Sequence, residues 1–233
     1  MSAASIPLPL ARAARFYEST LGKKTVMALT GFVGFGFVIG HLLGNLQFYL
    51  GPDALNAYGA KLRDLGPLLA VARGALIVAV AAHILSAFQL WLQNRRARRS
   101  NYVKWSATKS SYASRTMILS GPILFFFIVY HLMHLTWGTA HPDFRHAATG
   151  APDVYHNVVA GFSQPLAAGA YIVAMIFLGL HLVHGVWSMF QSIGWSHPRY
   201  TPLIKSFASA VTALIVVGNI SIPVSVLLGF YQR

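Results

Sequence analysis

Five apolar stretches, near residues 25–48, 67–93, 116–139, 164–191 and 203–230, dominate the chain. Each is long enough to cross a bilayer, whose hydrocarbon core of about 30 Å takes roughly 20 helical residues. Polar stops mark their ends: Lys23 and Lys24 before the first, Gly66 and Pro67 opening the second, Arg95 to Arg99 after it, and Pro165 and Pro202 before the last two. The pattern predicts an all-α integral membrane protein with five transmembrane helices in one domain over 25–233, preceded by an interfacial segment over 1–24. Met1 to Leu21 carries Arg12 and Arg15 but lacks an apolar run followed by a small-residue cleavage site, so no cleaved signal peptide is expected. Its alternation of Arg and Ala with Phe16 and Tyr17 suits a segment lying on the membrane surface.

Composition agrees with a bilayer as the main solvent: 55% of the 233 residues are hydrophobic, 10% are charged, and mean hydropathy is +0.55. Eighteen basic against five acidic residues could suggest nucleic acid, but a basic face in water needs far fewer apolar residues. Topology accounts for the excess instead. The N-terminal segment, the loop with Arg95, Arg96, Arg98, Arg99, Lys104, Lys109 and Arg115, and the loop with Arg199 and Lys205 gather 13 of the 18 basic residues on one side. The other side has Asp53, Asp64, Asp143 and Asp153, with Lys61, Arg63, Arg73, Arg145 and Arg233. The positive-inside rule then makes the N-terminus cytoplasmic and the C-terminus outside. There is no cysteine, so no disulfide, covalent haem attachment or thiolate-held iron–sulfur cluster belongs to this chain.

Six of the ten histidines lie inside spans: His41, His83, His131, His134, His181 and His184. Intramembrane ionisable residues are expensive and mark function. Imidazole ligates several metals, and neighbouring residues decide among them. No Glu or Asp lies within a span, which counts against a carboxylate-bridged di-metal centre, and no cysteine offers a soft ligand. What remains is bis-imidazole haem b. Counted from the cytoplasmic edge, His41 is 17 residues in from Lys24 and His131 is 16 in from Arg115, about 24 to 26 Å at 1.5 Å per residue. Counted from the outside, His83 is 16 residues past Pro67 and His181 is 16 past Pro165, again about 24 Å. Four histidines thus form an outer pair, His41 and His131, and an inner pair, His83 and His181. Gly34, Gly40 and Gly44 around His41, Ala79, Ser86 and Ala87 around His83, and Gly185 after His181 would let a porphyrin approach the helices. Alternatively, Gly36, Gly40 and Gly44 at four-residue spacing form a helix-packing seam. His134 and His184, each three residues after a ligand candidate, are expected to bond a haem propionate or a neighbouring helix. Arg73, inside the second span about one turn outward of the outer pair, is expected to pair with a propionate of the outer haem unless it snorkels to the surface. Arg115 is the corresponding candidate for the inner haem.

The stretches LTGFVGFGFVIGHLLGNLQFY, AAHILSAFQLW, ILFFFIVYHLMHLTW and FLGLHLVHGVWSMFQSIGW, around His41, His83, His131 and His181, make the chain similar to the single-chain, five-helix, di-haem cytochrome b anchors of succinate dehydrogenases and fumarate reductases. The likeness covers nearly the whole chain. It implies the pairs His41/His131 and His83/His181 and favours His131 and His181 over His134 and His184. It implies two haem b as cofactors and a quinone, menaquinone or ubiquinone, as electron partner at a pocket the sequence does not locate. It also implies a flavoprotein that holds the succinate site, an iron–sulfur protein on the cytoplasmic face that meets the inner haem first, and a prokaryotic inner-membrane respiratory complex serving the tricarboxylic acid cycle, with room for higher oligomers. One departure is clear: some members carry a membrane glutamate for proton coupling, and this chain has no acid in any span. The competing readings are a haem b subunit of another quinone-linked dehydrogenase, a two-haem transmembrane reductase, and a transporter with a histidine proton relay.

Overall fold

A computed structural model describes residues 8–97 and 110–231. Arg98, Arg99, Lys104, Lys109 and Arg233, which enter the charge argument, lie outside the described residues. Among the described residues eight α-helices follow in order: α1 Leu8–Glu18, α2 Thr20–Asn45, α3 Pro52–Asp64, α4 Pro67–Ala97, α5 Tyr112–His131, α6 Val154–Phe162, α7 Pro165–Ser192 and α8 Thr201–Leu227. Among the described residues five segments are long and apolar enough to cross a membrane: Thr20–Leu50, Pro67–Ala97, Tyr112–Thr136, Pro165–Ser192 and Thr201–Leu227. A 3₁₀ turn over Leu46–Leu50 extends the first, and a π turn over Leu132–Thr136 extends the third.

Local chemistry sets these ends. The Ser19 hydroxyl accepts from the Gly22 N–H at 2.9 Å and Ser111 accepts from Ser114 at 3.1 Å, each satisfying an orphan donor of a first turn. The Ser111 cap starts the third span at Tyr112, earlier than residue 116 as expected from hydropathy. Gly138, at φ +73°, closes the chain after Thr136 rather than at 139. Proline in the first turn opens α3, α7 and α8.

The spans pack as a bundle in which α2 lies against α4 and α7, and α7 against α5 and α8. One buried cluster unites Phe35, Leu42, Leu182, Val186 and Ile215 from α2, α7 and α8. A second, containing Phe48, Leu55, Val159, Phe162, Tyr171 and Ile222, joins the 3₁₀ turn and α3 to α6, α7 and α8. Because lipid is as apolar as leucine, close approach rather than water exclusion drives such packing. The tight seams lie at Gly179, where a Cβ would sit 2.9 Å from Val216, and at Gly218, 2.9 Å from Leu42. The expected Gly36, Gly40, Gly44 seam does not form: Cβ atoms at Gly36 and Gly40 would meet nothing within 4 Å, and Gly44 receives the Tyr58 ring of α3.

Short elements close both ends. At one, α1 turns into α2 through Lys23, whose Nζ donates to the Tyr17 and Glu18 carbonyls at 3.2 and 2.6 Å. This ammonium, expected as a polar stop, is only 6% exposed and caps the negative end of α1. The hydroxyl of Tyr17 donates to Gln89 Oε1 at 3.1 Å, tying α1 to α4. At the other end α3, α6 and the segment 137–153 form a cap that hydropathy did not anticipate. There Asn56 donates to Asp153 at 3.0 Å and accepts from the Tyr155 N–H at 3.1 Å, and the Asn157 amide exchanges two bonds with the Arg145 backbone.

Candidate functional site

Four spans bring their histidines together in twos. The rings of His41 on α2 and His131 on α5 lie 5.7 Å apart between centroids, at an interplanar angle of 90°. Those of His83 on α4 and His181 on α7 lie 6.2 Å apart at 54°. Neither α2 with α5 nor α4 with α7 is among the main packed helix pairs, so imidazoles meet across helices that otherwise stand apart.

The two pairs sit at different depths. His83 Nδ1 lies 3.3 Å from Thr30 Oγ, and Thr30 precedes His41 by 11 residues, about 16 Å of helix. His181 Nδ1 lies 3.2 Å from Ser120 Oγ, and Ser120 precedes His131 by 11 residues, again about 16 Å. Tyr171, which touches His131, precedes His181 by 10 residues, about 15 Å. Three helices therefore give the same separation along the bundle.

Hydrogen bonds fix which ring nitrogen is left for a metal. His83 Nδ1 donates to the Met27 carbonyl at 3.1 Å, which can only accept, so its Nε2 bears the lone pair. The Ser120 hydroxyl donates to the Met117 carbonyl at 3.3 Å and so accepts from His181 Nδ1, leaving Nε2 unprotonated there too. His131 Nδ1 lies 3.1 Å from the Tyr171 hydroxyl. His41 has no such partner among the described residues and stacks on Phe37, centroids 5.3 Å apart. An Nδ1 bond that fixes tautomer and ring angle is the usual support of a metal-bound imidazole.

These donors fit a haem. With metal–nitrogen bonds of about 2 Å and about 1.2 Å from nitrogen to ring centre, two axial imidazoles would hold their centroids roughly 6.4 Å apart; the observed 5.7 and 6.2 Å lie within an ångström of that value. No three histidine or acidic side chains converge among the described residues. Twofold sets suit the two axial positions of a porphyrin rather than a tetrahedral site. The backbone is approachable where a flat ring needs it: a Cβ at Gly34, Gly40, Gly121 or Gly185 would meet nothing within 4 Å. Gly44 offers no such approach, because Tyr58 fills it, whereas Gly31, which hydropathy did not single out, lets His83 lie against α2, its Cε1 3.3 Å from a would-be Cβ.

The remaining sequence candidates divide. His134 is fully buried, its Nδ1 3.1 Å from the same Tyr171 hydroxyl, and it stacks on Tyr130 and His141 at 5.3 and 5.0 Å. The π turn after His131 changes the angle between the two histidines from that of a regular helix. His184 Nδ1 is buried without a partner among the described residues, beside Trp187. Arg115 donates to the Ser110 carbonyl at 2.8 Å and lies over Tyr112. Arg73 is exposed within its span and makes no hydrogen bond or ion pair among the described residues.

The family model for the succinate dehydrogenase/fumarate reductase transmembrane subunit matches residues 92–220. The chain belongs to this family. No curated protein and no solved structure matches it. The match takes in α5 and α7, hence His131, Ser120, Tyr171 and His181, whereas His41 and His83 precede it. As a member of this family the chain is a multi-pass membrane subunit of a succinate dehydrogenase or fumarate reductase, a family whose complexes contain flavoprotein and iron–sulfur subunits. Ser120, Thr30, Tyr171 and the Met27 carbonyl escaped the sequence reading. The signal was present: Thr30 and Ser120 each precede a histidine by 11 residues, which returns to the same helix face within about 20°.

Proposed function

We propose that this subunit is a cytochrome b anchor holding two haem b groups, the outer between His41 and His131 and the inner between His83 and His181. It would carry electrons between an iron–sulfur subunit and membrane quinone. The observation that carries the reading is the meeting of two imidazole pairs, centroids 5.7 and 6.2 Å apart, at two depths of one bundle. Haem b supplies one-electron chemistry at a potential set by its axial ligands, the hydrogen bonds behind them and the surrounding dielectric.

The chain's own residues have separate tasks. Met27 and Ser120 orient His83 and His181 so that each presents Nε2. Ser86, fully buried one turn inward of His83, lies 3.5 Å from the Tyr17 hydroxyl, so α1 covers the inner level from water. The cap of α3, α6 and 137–153 does the same at the outer level. Arg73 neutralises an outer propionate, while Arg115 and His184 are the candidates at the inner level. His134 is assigned to the support of the outer pair rather than to ligation.

The basic ends of α1, α4 and α8 support a cytoplasmic N-terminus and an outside C-terminus, in the prokaryotic inner membrane that the resemblance implies. The iron–sulfur subunit then docks beside the inner level, and the flavoprotein behind it holds the succinate site. A pyridine haemochrome assay on the purified complex should give two haem b per chain; one or none refutes the reading. In His83→Ala one haem signal should disappear while the other keeps its low-spin spectrum, and retention of both would show that His83 is no ligand.

A further inference from the structure

Behind the outer pair lies a phenol that the established family does not explain. Tyr171 is 7% exposed, and its ring packs edge-on against Phe127 and Phe162 with centroids 5.0 and 4.8 Å away. Its hydroxyl stands 3.1 Å from His131 Nδ1 and 3.1 Å from His134 Nδ1. A phenol has one proton to give and lone pairs to receive. It can therefore donate to one imidazole and accept from the other. If both imidazoles donated to it, the phenol proton would have no acceptor among the described residues.

We infer that Tyr171 is the positioning residue of the outer centre, holding His131 through a directed chain from His131 Nδ1–H to the Tyr171 oxygen and from the Tyr171 O–H to His134 Nδ1. The inference rests on His131 being an axial ligand. Coordination through Nε2 leaves the proton of a neutral imidazole on Nδ1, so the first bond must run from His131 to the phenol. The phenol proton then has one acceptor within reach, His134, whose own proton goes to Nε2, a buried atom with no partner among the described residues; the direction is therefore set by the proton that His131 must donate. Two links aligned in this way polarise one another, so the second strengthens the first. The arrangement also explains why a second histidine, fully buried, follows His131 in a π turn: the wider turn brings both Nδ1 atoms to one hydroxyl.

Two properties follow. The bond that His131 donates makes it a more basic ligand, which favours the oxidised metal and lowers the outer potential. It also fixes the His131 ring plane, which stands at 90° to that of His41. The inner pair, supported by Met27 and Ser120 instead, is independent of this chain.

The test is a redox titration and a low-temperature EPR spectrum of the intact complex carrying Tyr171→Phe, which keeps the ring and its packing. The outer haem's potential should shift upward by about 59 mV, the one-electron equivalent of an oxidised-to-reduced ratio lower by on the order of tenfold at fixed ambient potential. Its low-spin gmax, which depends on the angle between the imidazole planes, should move, and the inner haem should keep both values. His134→Leu should shift the outer potential in the same direction by less, and His134→Gln, whose carbonyl can accept from the phenol, should restore it. An outer potential and gmax unchanged in Tyr171→Phe overturn the inference. If that variant fails to assemble, the histidine pair decides: an unmoved potential in His134→Leu, or no recovery in His134→Gln, overturns it as well. Failure of the underlying ligand assignment is recognised separately, by a six-coordinate low-spin outer haem that survives His131→Ala.

Discussion

Arg73 gives the sharpest test of where the proposed outer haem lies. It precedes His83 by 10 residues, about 15 Å along α4, while His41 follows Thr30, the His83 neighbour, by 11 residues or about 16 Å along α2. The two residues therefore stand at nearly the same height, closer than the one-turn offset expected from hydropathy. Ten residues also turn Arg73 about 80° from His83 around the helix, so it is not on the face opposite the bundle. Packed helices such as α2 and α4 lie 8–10 Å apart, which puts the guanidinium roughly 10 Å from a metal at His41. At an effective dielectric constant of about 20 one positive charge at that distance contributes about 1.7 kcal/mol. That is roughly 70 mV for a one-electron couple. A cation disfavours the more positive oxidised state, so Arg73→Leu should lower the outer potential by that order and leave the inner one in place. Arg73→Lys should retain most of the effect, because it keeps charge and loses only the planar fork. The assay is a spectrally resolved redox titration of the complex. If Arg73 instead reaches up the about 9 Å to the Pro67 end of α4, water screens it, and unchanged outer potential and occupancy in Arg73→Leu refute the pairing.

Three further outcomes are expected. Ser120→Ala leaves His181 Nδ1 without its acceptor and should weaken inner haem binding on the order of tenfold, whereas Ser120→Thr should not; equal haem content in the two at limiting haem would count against it. Gly161→Ala places a Cβ 2.8 Å from His134 Cε1 and 3.0 Å from His141 Nε2, two stacked rings with little room to yield, and should cost about 1–3 kcal/mol, seen as a lower thermal midpoint. Asp143 is held below its ordinary value of 3.8 first by the Arg145 hydrogen bonds, with His156 adding to them. A depressed carboxylate stabilises the fold above its unfolded value and loses that contribution as pH falls through the folded one, so hydrogen exchange in 137–153 should quicken only below about pH 3.8, a transition that Asp143→Asn should abolish.

The spans were legible because twenty apolar residues have few alternatives to a transmembrane helix, and hydropathy reports that directly. Their ends were less so, since Ser111 as a cap and Gly138 as a stop act through single hydrogen bonds and one backbone angle. The cap helices α3 and α6 were missed for a related reason: with 13 and nine residues they are too short and too polar in part to register as spans. At the site, depth counting separated four histidines into two levels because rise per residue is nearly constant in helices. Glycine was misread for want of a neighbour: Gly44 and Gly31 look alike in sequence, yet one receives Tyr58 and the other His83.

The same constancy of rise explains why each histidine-bearing span carries a polar residue at a fixed distance from its histidine. Two centres about 16 Å apart on straight helices must recur every 10 or 11 residues, and 11 residues are three turns that return to one face. Thus α2 offers Thr30 to the inner level and His41 to the outer; α5 offers Ser120 and His131; α7 reverses the order with Tyr171 outer and His181 inner. Each of these three helices supplies a histidine at one level and a hydrogen-bonding side chain for a histidine at the other. On α4 the residue in the corresponding place is Arg73, outer, with His83 inner. Arg73 alone of the four polar residues meets no histidine among the described residues, and it alone carries a charge. A hydroxyl at that position would complete a set of imidazole supports. An arginine there would answer an anion instead, such as a propionate of the proposed outer haem.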